Sequence, residues 1–137
     1  MTTQLMPQEA LIYAMVTTAA VDHRITEEEL RRISSIVKEL PPFEQFNGDW
    51  LVQEAQDCGR ILAKPEGVET VLRLVKDALP VHLRETAYVL CAEVAVSDLT
   101  VKEEETRFLA MLAETLELDT LVRAALGRAA RARHRSV

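Results

Sequence analysis

One stretch of this chain occurs twice. Moved along by 76 residues, 19–33 falls on 95–109 with six of fifteen positions identical, where chance pairing gives roughly one. The shared core is Ala19, Asp22, Glu27, Glu28, Glu29 and Arg31 over Ala95, Asp98, Glu103, Glu104, Glu105 and Arg107. Apolar positions keep step as well: Ile25 with Val101, Ile33 with Leu109, Ile36 with Leu112, Leu40 with Leu116. A 76-residue spacing is far too long for a solenoid, whose units run about 20–50 residues. It predicts two related helical hairpins, about 9–40 and about 85–116, packed around a pseudo-two-fold axis.

The rest of the pattern is helical throughout. Apolar residues recur at three- and four-residue intervals, as in Leu30, Ile33, Val37 and Leu40. No segment alternates long enough with period two to make a strand. Seven helices are expected, near 9–21, 26–40, 49–63, from 65 through Val75, 80–97, 102–116 and 119–131. Pro65 and Pro80 suit first turns, and Pro41-Pro42 stops the second helix. Only 4 glycines and 5 prolines interrupt 137 residues, and the connections are short. The expectation is therefore one all-α domain spanning 1–137.

Several functions are disfavoured at this point. No apolar run approaches the roughly 20 residues that span a bilayer, so the chain is not expected to be an integral membrane protein. The stretch 1–8 has neither the basic nor the apolar part of a signal peptide, which predicts a cytoplasmic protein. Cys58 and Cys91 lie in helical segments away from any ligand partner, which favours buried free thiols over a disulfide or a zinc site. No serine, histidine and acid stand at a spacing that argues catalysis, and no glycine-rich phosphate loop is present. The chain is not expected to be an enzyme.

Charge is unevenly spread. The net charge is −6, yet 123–137 holds five arginines and no acid. An acidic body disfavours nucleic acid and anionic lipid as nonspecific partners. The basic end could touch either, but arginines in a last helical turn also simply complement the helix dipole. Leu121, Val122, Ala125, Leu126 and Ala129 are the residues expected to dock that last helix.

The two acidic loops carry two readings. In the structural one, Thr26 and Glu29 form a capping box, and three first-turn acids face the positive end of each helix, each worth about 0.3–1 kcal/mol. In the other, the same carboxylates gather a hard cation such as calcium, magnesium or manganese. The loops are not EF-hands, because His23 and Arg24 follow Asp22 where alternating acids are required.

The motif Ala-x-Asp-x-x-[Ile/Val]-x-x-Glu-Glu, repeated between amphipathic helices, resembles the TerB family of tellurite-resistance proteins. Similar stretches include 8–13, Leu40-Pro41, Ala78-Leu79-Pro80, 83–87 and 129–134, so the likeness covers nearly the whole chain. The resemblance implies a TerB-like all-helical fold and a non-enzymatic role, as a binding protein or adaptor, in the response to tellurite or other chemical stress. It also implies protein partners, among them other Ter proteins at the inner membrane face, and a divalent-cation site. The family's acidic motif falls on Asp22, Glu28, Glu29, Asp98, Glu104 and Glu105. His23 and Leu99 stand where the family commonly has glycine. The alternative is a purely structural interaction module whose acidic loops only cap helices.

Overall fold

The computed structural model describes residues 4–21, 24–96 and 102–137. All regular structure among them is helical: α1 (Pro7–Ala20), α2 (Glu27–Glu39), α3 (Leu51–Leu62), α4 (Gly67–Ala78), α5 (Arg84–Val96), α6 (Glu103–Thr115) and α7 (Thr120–Arg133). Single 3-10 turns at Pro41–Phe43, Gly48–Trp50 and Val81–Leu83 link α2 to α3 and lead into α5.

Helices α1 and α5 lie against each other at the centre. Helix α2 packs on α1 and also reaches α5; α6 packs on α5 and also reaches α1. That reciprocal arrangement is the one a duplicated hairpin needs. The covers differ: α3 and α4 close over α1, whereas α7 packs on α5.

Local chemistry explains the helix limits. Pro7 occupies the first turn of α1, where a missing N–H costs nothing, and the Met6 N–H donates to Glu9 Oε1 at 2.8 Å. From Ala10 to Ala20 every residue of α1 is buried, because neighbours surround it on all sides. Thr17 and Thr18 are tolerated there because each hydroxyl donates to the carbonyl one turn back, Tyr13 O and Ala14 O, at 2.8 Å. Asn47 Oδ1 accepts from Asp49 N at 3.0 Å and starts the 3-10 turn before α3. Asp119 Oδ2 caps α7 by accepting from Leu121 N at 3.1 Å.

Two starts differ from expectation. Helix α4 begins at Gly67 rather than Pro65, because Glu66 takes a left-handed conformation at φ 58°. The turn between α3 and α4 is so tight that a Cβ on Gly67 would lie 2.4 Å from Ile61 O. Helix α5 begins at Arg84, since the turn at Val81–Leu83 winds as 3-10 after Pro80.

The core gathers Leu11, Ile12, Met15, Ile33, Val71, Val75, Phe108, Leu112 and Leu116 into one cluster. At roughly 1.5–3 kcal/mol for each fully buried large apolar side chain, this cluster is the main favourable term in folding.

Candidate functional sites at the acidic helix starts and beside helix α7

At the start of α2 the capping box is complete. Thr26 Oγ1 accepts from Glu29 N at 3.1 Å, and Thr26 N donates to Glu29 Oε1 at 2.9 Å. At the start of α6 the cap residue is Lys102, whose side chain has no acceptor. Only the returning half is made there, with Lys102 N donating to Glu105 Oε1 at 3.2 Å. Glu28 pairs with Arg32 at 3.2 Å and Glu103 with Arg107 at 3.1 Å, each one turn along its helix. Glu104 is exposed.

Asp22 and Asp98 lie outside the described residues, as do His23 and Leu99. Among the described residues no three histidine, cysteine or acidic side chains come together as a metal site would require. Glu28, Glu29, Glu104 and Glu105 thus form no such group among the described residues.

The thiols are poor nucleophiles. Cys58 is buried, with Thr17 Oγ1 at 3.5 Å, and burial pushes its pKa up to about 12. Cys91, also fully buried, is pushed up to about 12 for the same reason. Burial thus disfavours the thiolate, the form that attacks or ligates. Among the described residues Glu54 has a strong upward shift, raised to about 7 by burial first and then by a hydrogen bond and the charge of Glu9. It joins α3 to the first turn of α1.

Helix α7 docks on α5, though not through all the residues expected from sequence. Val122, Leu126 and Gly127 are half-buried and Ala130 is fully buried, whereas Leu121, Ala125 and Ala129 stay exposed. An alanine-rich helix offers several apolar stripes of similar strength. Its rotation is set by the neighbour: Glu93 of α5, 13% exposed at its side chain, ion-pairs with Arg133 and lies 3.7 Å from His134.

That rotation leaves a cavity of about 470 Å³ between α5, α6 and α7. Ala92, Ala95, Val96, Leu109 and Ala110 give it an apolar wall, with Tyr88 and Thr106 beside them. Arg123, Gly127 and Arg131 form its α7 side, one turn apart from one another. Sequence reasoning assigned these arginines to the helix dipole and missed the groove. The signal was present as two arginines two turns apart with a glycine midway. A second hollow, about 510 Å³, lies at the end of α2 beside Leu40, Pro41, Phe43 and Phe46. Phe46 makes edge-on contacts with Phe43 and with the half-exposed Trp50.

No described helix is long and apolar enough to cross a membrane. No curated protein and no solved structure matches the chain. The family model described as tellurite resistance protein TerB matches residues 8–132. With nearly every helix inside that match, the chain belongs to the TerB family.

Proposed function

We propose that this chain is a non-catalytic binding protein in the response to tellurite or other chemical stress, an adaptor that docks other proteins. The observation that carries the proposal is the family match over 8–132. Two features support it. The thiols, the chain's best candidates for reducing chemistry, are buried and held protonated. Glu29 and Glu105 serve helix caps, and Glu28 and Glu103 pair with arginines of their own helices, which favours the capping role of these acids.

Survival on tellurite tests this directly. In a host whose own TerB has been deleted, the unmutated chain is expected to restore growth. The double variant Cys58→Ala, Cys91→Ala is expected to restore it equally, once its melting curve shows that it folds. Failure of the unmutated chain would overturn the stress-response role. Loss of growth confined to the folded double variant would overturn the non-catalytic role and point to thiol chemistry.

A further inference from the structure

The groove between α5, α6 and α7 has a charge opposite to that of the molecule. The chain carries a net charge of −6, yet the described residues lining the groove include two cations and no acid. Neither Arg123 nor Arg131 has an acidic partner among the described residues, unlike Arg133, which is held by Glu93. Arg131 folds back along its own helix: its Nη1 lies 3.4 Å from where a Cβ on Gly127 would stand. The guanidinium thus borders the cavity instead of extending into solvent. The Glu93–Arg133 pair and buried Ala130 fix the end of α7, so the two cations keep their spacing.

We propose that this groove receives an acidic amphipathic helix from a partner protein. The inference rests on the binding-protein function above and names the chemistry of the partner. Arg123 and Arg131 are eight residues apart on one helix face, a rise of about 12 Å. A partner helix lying alongside repeats on the same pitch, so carboxylates seven or eight positions apart on it meet both guanidiniums. The intervening wall of Ala92, Ala95 and Ala110, opposite Gly127, is low enough for a ridge of small or aliphatic side chains to settle into it. A single-headed amphiphile would use only one of the two cations.

Fluorescence anisotropy with the full chain and a labelled 20-residue Ala/Leu-based helical peptide tests the proposal. The peptide carries two glutamates eight positions apart on its apolar edge. One control has lysines at those positions, and a second has the glutamates moved to the opposite face. The first peptide alone is expected to bind. Arg123→Ala with Arg131→Ala should weaken it at least about tenfold, as loss of two charge-assisted contacts would. Ala110→Phe, which fills the groove from an exposed position, should do the same. Both variants should melt within a few degrees of the parent. No binding, equal binding of either control, or indifference to both variants would overturn the proposal. So would arginine-dependent sedimentation with phosphatidylglycerol vesicles in the absence of peptide binding, which would make the surface a lipid contact. If the peptide fails while the chain still restores growth on tellurite, this inference falls and the proposed function stands.

Discussion

The two hairpins share their limits and differ in their surroundings. Ala20 and Val96 end α1 and α5, Glu27 and Glu103 begin α2 and α6, and Glu39 and Thr115 end them, each pair 76 residues apart. Equivalent positions are buried in both central helices: Leu11 and Ala87, Met15 and Cys91, Ala19 and Ala95. Yet α1 is buried without a break from Ala10 to Ala20, while α5 leaves Tyr88, Glu93 and Val96 partly open. Helix α6 is also rolled by about one residue relative to α2. Phe108 is core where its counterpart Arg32 is not, and Leu109 is half-buried where Ile33 is fully buried. Local signals such as caps and prolines fix where a helix begins and ends. Which of its faces becomes core depends on what covers it, here two helices over α1 and one over α5.

The largest expected effect lies under the double cover. Leu11→Ala, which gives the first hairpin the residue of the second, should cost about 2–5 kcal/mol in urea unfolding. A cost below about 1 kcal/mol would remove the distinction between the two central helices. Next comes the turn that closes the cover. Gly67→Ala should destabilise by about 1–3 kcal/mol, because the added Cβ meets backbone at Ile61 and Leu62 rather than a movable side chain. Gly59→Ala in the same cover has open space around it and should instead stabilise by about 0.5–1 kcal/mol. If both alanines behaved alike, the tight α3–α4 turn would not be the cause.

A smaller effect depends on pH. Glu54 has a folded pKa near 7, above the ordinary value of 4.5, so the folded state binds its proton more tightly. The stability this contributes is fully present below about pH 4.5 and is lost as pH rises through 7. Glu54→Gln should therefore match the parent at pH 4 and melt higher than it at pH 8. Glu85, the counterpart of Glu9 in the second hairpin, is exposed. Identical melting profiles for parent and variant would remove this asymmetry. The smallest effect separates the hairpin ends. Glu117 sits at φ 58° after α6, with Leu118 N bonded to Ala113 O at 3.0 Å, a left-handed helix stop that favours glycine. Glu117→Gly should melt slightly higher than the parent, because relief of the backbone is only partly offset by loss of the exposed Lys76 pair. A clear loss in thermal melts would show that the ion pair outweighs the backbone term.

Much of the fold was legible because its signals are local. Helical periodicity, the Thr26–Glu29 box and Pro41-Pro42 after α2 each mark an element without reference to the rest of the chain. The start of α4 was misplaced because Pro65 looks like a first-turn proline. The left-handed Glu66 and the crowding at Gly67 arise only when α3 and α4 are both in place. The face of α7 was partly misjudged for a similar reason: Leu121, Ala125 and Ala129 compete with Val122, Leu126 and Ala130 until Glu93 supplies a partner for Arg133. The acidic motif and the Glu29 cap were visible in the sequence, but the arginine partners of Glu28 and Glu103 were not. The groove needs three helices, so no single segment announces it.

If the acids at the starts of α2 and α6 serve as caps, binding by this protein needs no bound cation. Thermal melting of the unmutated chain in millimolar calcium, magnesium and manganese addresses that most directly. The expected result is an unchanged midpoint with each ion. A midpoint that climbs with ion concentration, equivalent to about 2.7 kcal/mol at a hundred times the dissociation constant, and that Asp22→Asn with Asp98→Asn abolishes, would contradict it.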